Sequence, residues 1–158
     1  MMRIIRDTGR SFDLESFLSM PLVAHLSTVA EGSPRDSPVW FYWQDKKIWI
    51  IGTASDIFPD RIRKNPKCAI GIVDFNQHTG LFLHAGFRGT AIVNSFNKII
   101  ANQLLSRYLG PEIEKWDPRF KGLDDSNVLI SFSPETVVVR DQSYVLPKRD
   151  KKSDCLKE

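Results

Sequence analysis

Residues 33–66, SPRDSPVWFYWQDKKIWIIGTASDIFPDRIRKNP, constrain the fold more than any other stretch of the chain. Two strand patterns flank the polar turn Gln44-Asp45-Lys46-Lys47; a Thr53-Ala54-Ser55 turn follows, then a short basic segment closed by Asn65-Pro66. Strands joined by so few residues run antiparallel, because parallel neighbours need a crossover of about a dozen residues or more. A further pattern precedes them, Leu22 to Val29, rich in β-formers and followed by the turn composition Glu31-Gly32-Ser33-Pro34.

The remaining elements extend this plan. Phe12, Leu14, Phe17 and Leu18 recur at helical spacing behind Ser11, a candidate cap, and Met20-Pro21 ends the pattern. Asp60 to Lys64 favours a short helix that Pro66 stops. Cys68 to Val73 and Leu81 to Val93 read as strands, the second carrying Gly86 and Gly89, which suit a bend or bulge. Ser95 is expected to cap the longest helix, with Phe96, Ile99, Ile100, Leu104 and Tyr108 apolar and Gly110-Pro111 as its stop. A loop through Trp116 leads to a last strand pair, Val128 to Phe132 and Thr136 to Arg140, divided by Ser133-Pro134. Such an order predicts a mainly β domain, a closed or nearly closed antiparallel barrel with helices as inserts.

With 158 residues, 42% of them hydrophobic, the chain fits one domain, residues 1–146, followed by a polar tail at 147–158 that is expected to be disordered. Cys68 and Cys155 form no CxxC pair, which fits a reducing, cytoplasmic setting. MMRIIRDTGR lacks the apolar core of a signal peptide, and no stretch approaches the roughly 20 apolar residues of a membrane span, so no membrane partner is expected. The formal charge of +3 resides partly in the tail, and nucleic acid is not an expected partner.

Motifs exclude several chemistries. GxGxxG, P-loop, HExxH and GxSxG patterns are all missing. His25, His78 and His84, even with Asp74, have no tight ligand spacing, so no metal is expected. The run Trp40-Phe41-Tyr42-Trp43 says more: in a strand, Val39, Phe41 and Trp43 share one face and Trp40 and Tyr42 the other, so bulk covers both faces. One face is core; the other suits packing, a subunit interface or a ligand wall. Arg61, Arg63, Lys64 and Lys67 form a positive patch next to Thr53-Ala54-Ser55, whose hydroxyls and amides are donors of the kind that hold a phosphate.

From Phe12 to Asp141 the chain resembles the FMN-binding split-barrel family, which includes pyridoxamine 5′-phosphate oxidase. The markers are Ser37-Pro38-Val39-Trp40-Phe41, Ile51-Gly52-Thr53, Asn65-Pro66, Phe87-Arg88-Gly89-Thr90-Ala91, Arg107-Tyr108-Leu109-Gly110 and Ser133-Pro134-Glu135. The resemblance implies a six-stranded antiparallel barrel, a homodimer with FMN at the subunit interface, and an oxidoreductase acting on a small organic substrate. It further implies that Ser37, Val39, Trp40 and Phe41 line the flavin and that Thr53, Ala54 and Ser55 approach its phosphate. His84 falls where relatives reach the partner's flavin, and Trp116 lies in a covering loop. The family's Ser-Arg-Lys phosphate cluster falls here on Asp56-Ile57-Phe58, and an Arg of the preceding strand falls on Ser37. Arg61 and Arg63 are the candidate replacements, with Lys64 and Arg35 behind them. No catalytic side chain is assigned.

Two other readings stand beside this one. A split barrel without FMN could hold another planar ligand, a deazaflavin or a tetrapyrrole with His84 or His25 on the iron. A small barrel could also bind single-stranded nucleic acid by stacking bases on Trp40 or Tyr42.

Overall fold

The computed structural model describes residues 1–8 and 12–147, which places Ser11, Cys155 and the tail beyond Pro147 outside the described residues. Among the described residues eight strands make one sheet: β1 (Arg3–Thr8), β2 (Ala24–Ala30), β3 (Ser33–Val39), β4 (Tyr42–Gln44), β5 (Lys47–Gly52), β6 (Lys67–Asn76), β7 (Leu81–Ser95) and β8 (Val128–Asp141). Four α-helices are inserted among the described residues, α1 (Leu14–Ser19), α2 (Phe58–Lys64), α3 (Lys98–Leu109) and α4 (Pro118–Lys121).

The sheet runs β3-β2-β6-β7-β8-β5-β4, all antiparallel, with β1 parallel to β8. Eight strands replace the expected six, and the sheet is open. Its two edge strands, β3 and β4, are consecutive in the chain and separated only by Trp40-Phe41. The barrel is therefore closed by covalent continuity at its seam rather than by a ladder of hydrogen bonds.

Backbone groups at that seam lack strand partners, and two neighbouring side chains at the end of α3 supply them. The Tyr108 hydroxyl accepts from Phe41 N–H (3.0 Å) and donates to the Leu22 carbonyl (2.7 Å), with the Phe41 carbonyl at 3.2 Å. Arg107 donates to the carbonyls of Phe41 (3.1 Å), Leu18 (3.0 Å) and Met20 (2.7 Å), the last of which also accepts from the Leu22 amide (2.9 Å), and so ties the end of α1 to the seam. Burial pushes the Tyr108 phenol above its ordinary pKa, so the hydroxyl keeps its proton.

Alternation builds the core. In β5 every second residue, Ile48, Ile50 and Gly52, is buried, and Cys68, Ile70 and Ile72 do the same in β6. These residues join Phe17, Leu18, Phe41, Phe87 and Phe132 in the barrel interior. The aromatic run divides as its alternation predicts: Val39, Phe41 and Trp43 belong to this core, whereas Trp40 and Tyr42 pack on an outer cluster of Leu104, Leu105 and Trp116.

Several boundaries differ from the sequence expectation. The strand expected from Arg35 to Trp43 breaks at Trp40-Phe41. The expected last pair is one strand, β8, whose whole length pairs with β7 while its other edge serves β5 over Val128–Phe132 and β1 over Thr136–Arg140. Ser133-Pro134 marks that change of neighbour and a bulge, since Gly89 faces Pro134 and Arg88 faces Thr136. A Cβ on Gly89 would collide with the Ser133 carbonyl oxygen, so only glycine fits opposite the bulge.

Helix α1 is capped by Asp13, whose carboxylate accepts from the amides of Glu15 (3.0 Å) and Ser16 (3.3 Å). Asn97, not Ser95, caps α3, because β7 continues through Ser95. Helix α3 buries Ala101, Leu104 and Leu105, leaving Ile99 71% exposed. Among the described residues, no helix is long and apolar enough to cross a membrane.

Candidate functional site

A cleft of about 880 Å³ opens beside the seam, between β3, the end of β5, the 53–57 turn, α2, α3 and the segment around α4. Gly52 sets the turn close to its neighbours: a Cβ there would lie 2.9 Å from both Pro59 Cγ and Val128 Cγ2. The tight exit from β5 holds Thr53, Ala54 and Ser55 on the cleft wall.

Seven sequence-predicted site residues come together here: Ser37, Val39 and Trp40 from β3 and the seam, Thr53, Ala54 and Ser55 from the turn, and Arg61 from α2. Apolar area comes from Ile51, Leu104, Leu105 and Phe120. The Trp40 indole already stacks on Tyr108 (4.5 Å between centroids, 2° between planes) and on Phe120 (5.5 Å, 25°). Trp40 is thus a wall braced by its neighbours rather than a bare platform.

Arg61 is the cation best placed in the cleft. Its Nε donates to Thr28 Oγ1 (2.8 Å), a buried hydroxyl on β2, and its Nη2 to Ser37 Oγ (3.3 Å). The guanidinium therefore lies against the side chain at position 37, where the resemblance puts an arginine on the strand. Both contacts are to neutral hydroxyls, so the positive charge has no carboxylate within 4 Å among the described residues.

The 53–56 turn is arranged around Asp56. Asp56 Oδ2 accepts from the Thr53 amide (2.7 Å) and from Thr53 Oγ1 (2.7 Å), while the Asp56 amide donates to the Thr53 carbonyl (3.0 Å). With the Thr53 proton committed to Asp56, Ser55 Oγ is the donor in its 3.0 Å contact with Thr53 Oγ1. Three donors expected to face a ligand phosphate thus point into a network centred on a carboxylate.

Four other predicted residues lie elsewhere in the protomer. Phe41 is fully buried in the core. Arg63 pairs with Asp60 (2.6 Å) and lines a separate polar hollow of about 520 Å³ with Asn94 and Asp125. Two residues on a helix are about 200° apart, so Arg61 and Arg63 cannot share one cleft. Trp116 is 3% exposed and donates its indole N–H to the Gly110 carbonyl (2.9 Å). His84 lies on β7 between Val73 and Arg140, and burial, aided by the Arg140 charge, lowers its pKa. His25 is exposed and pairs with Asp36 at 2.9 Å on the cleft rim.

Sequence reasoning missed the α4 side of the cleft, Arg119, Phe120 and Leu123, together with Asn127. The available signal was Asp117-Pro118: Asp117 caps α4 through the Arg119 amide (3.0 Å), and proline takes the first helical position.

No protein-family model matches the chain, and no curated protein matches it. Solved structures do. A pyridoxamine 5′-phosphate oxidase-like protein of Listeria innocua is 17% identical with a TM-score of 0.58, covering 80% of this chain and 94% of its own. An F420 reductase is 24% identical with a TM-score of 0.59, covering 82% of this chain and 98% of its own. HutZ, the heme storage protein of Vibrio cholerae, is 16% identical with a TM-score of 0.63, covering 82% of this chain and 93% of its own. With its sheet split at Trp40-Phe41 and its similarity to these structures, the chain has the split-barrel fold of the pyridoxamine 5′-phosphate oxidase-like proteins.

Proposed function

We propose that the protein is an oxidoreductase that holds a flavin-type ring in the cleft beside the seam, acting as a homodimer on a small organic substrate. The observation that carries this reading is Arg61, a guanidinium with no carboxylate within 4 Å among the described residues, anchored by Thr28 and Ser37 inside a cleft with an apolar wall. FMN is the first candidate: Val39, Ile51, Leu104 and Leu105 would meet its ring, and Arg61 its anionic end. Hydride transfer at N5 is the chemistry such a ring supplies when bound. The chain's own residues bind and orient it, and the Trp40, Phe120 and Leu123 side limits water.

Titration of FMN and riboflavin against the purified protein tests this. FMN is expected to bind roughly tenfold more tightly or better, the gain from one charge-assisted hydrogen bond, and Arg61→Ala erases most of the difference. Equal affinity for the two in the wild type would defeat the assignment of Arg61.

A deazaflavin is the second reading, supported by the commitment of the Thr53 donors to Asp56 and by the likeness to an F420 reductase. The tetrapyrrole reading has less support. Neither His25 nor His84 lines the cleft, and among the described residues no His, Cys, Met or Tyr does, so these residues offer no usual axial ligand there.

A further inference from the structure

Asp56 is a charged residue on a ligand-sized cleft whose carboxylate does two jobs that an incoming anion would otherwise do. One oxygen, Oδ2, takes both the amide and the hydroxyl proton of Thr53, each at 2.7 Å. Ser55 closes the chain by bonding to Thr53 Oγ1 at 3.0 Å. A phosphate oxygen bound to this turn would use the same donors. What the turn has left to offer is the backbone of Ala54 and Ser55, adjoining a full negative charge. Arg61 lines the same cleft but is not ion-paired with Asp56, because its guanidinium is committed to Thr28 and Ser37. The cleft thus attracts an anion at Arg61 and repels one at Asp56, while the other two charged residues on its lining, Arg119 and Asp36, lie beside Asp117 (3.6 Å) and His25 (2.9 Å).

We propose that Asp56 is a specificity-determining residue, an internal anion that fills the 53–56 turn and bars a ligand phosphate from it. The proposal deepens the flavin-type reading and rests on it for the identity of the ring. It assigns the ligand class: a planar ring whose polar arm presents neutral hydroxyls to the Thr53–Asp56 turn and places any anionic group at Arg61 instead. A ligand with a phosphate at the turn meets like charge, and among the described residues no Lys, Arg or His is ion-paired with Asp56. This differs from a merely structural role in the turn, which would alter stability without changing which ligand arm is accepted.

The experiment has two arms. In the first, inorganic phosphate is titrated against the full chain while the Thr53 amide is followed by nuclear magnetic resonance. Wild type is expected to show no saturating shift at Thr53, and Asp56→Ala a saturating one. Asp56→Asn, which keeps an acceptor oxygen for Thr53 and removes the charge, is expected to fall between them and guards against misfolding of the alanine variant. In the second arm, Asp56→Ala raises the affinity for FMN relative to riboflavin by about tenfold, as one recovered charge-assisted contact would. A phosphate response in the variant without binding of either flavin supports the role of Asp56 and sinks the flavin reading. Flavin binding with an unchanged FMN to riboflavin ratio and the same phosphate response in wild type and variants overturns the Asp56 proposal alone. Neither response in any variant overturns both.

Discussion

The hydroxyl of Tyr108 accepts a hydrogen bond from the amide of Phe41 at 3.0 Å, across 67 residues of sequence, and donates one to the carbonyl of Leu22 at 2.7 Å. Neighbouring Arg107 holds the carbonyls of Phe41, Leu18 and Met20. Tyr108→Phe strands a buried amide and is expected to cost roughly 1–3 kcal/mol in urea unfolding. Arg107→Ala should cost at least as much, and Arg107→Lys should recover little of it, because an ammonium lacks the planar fork that reaches separated acceptors. A loss below about 0.5 kcal/mol for both variants would show that the seam does not depend on them.

Gly89→Ala is expected to destabilise by roughly 1–3 kcal/mol, since the added methyl meets the Ser133 backbone oxygen, which cannot rotate away as a side chain would. The same substitution at Gly71, where a Cβ meets nothing within 4 Å, is the control and should unfold near the wild-type urea midpoint.

Burial pushes the Cys68 thiol up to about 11, so at neutral pH it is a protonated core residue and not a nucleophile. In a Cys155→Ser background, a thiol reagent should label Cys68 only as fast as the barrel opens. Labelling at the rate of a free peptide cysteine would contradict its place in the core.

His84 has a pKa held below its ordinary 6.5, first by burial and then by the charge of Arg140. The folded state therefore binds fewer protons than the unfolded chain as pH falls through that value, and stability declines on the acid side. Unfolding free energies measured from about pH 7 to about pH 5 should fall, and His84→Gln should flatten that slope. An unchanged slope in the variant would assign it to other groups.

The order of strands was readable because alternation and short polar turns are local signals; β2, β5, β6 and β7 all lie where Leu22–Val29, Ile48–Ile51, Cys68–Val73 and Leu81–Val93 read as strands. What escaped depends on partners distant in sequence. β1 carries little pattern of its own and is a strand because β8 offers it an edge. Ser133-Pro134 looked like an interruption, yet Gly89 on another strand absorbs it as a bulge. At the site, Ser37, Thr53 and Arg61 were legible from the chain, whereas Arg119 and Phe120 sit on a four-residue helix with little periodicity to read. The inward turn of the Thr53 donors onto Asp56 is a matter of hydrogen-bond direction, which composition does not encode.

Because β8 fills the space bordered by β7 on one side and β5 and β1 on the other, those three strands keep bare edges in any partly folded form in which residues 128–141 are not yet docked. Those bare edges are where a partly folded barrel is most prone to pair with another chain, and the arrival of β8 removes all three of them at once.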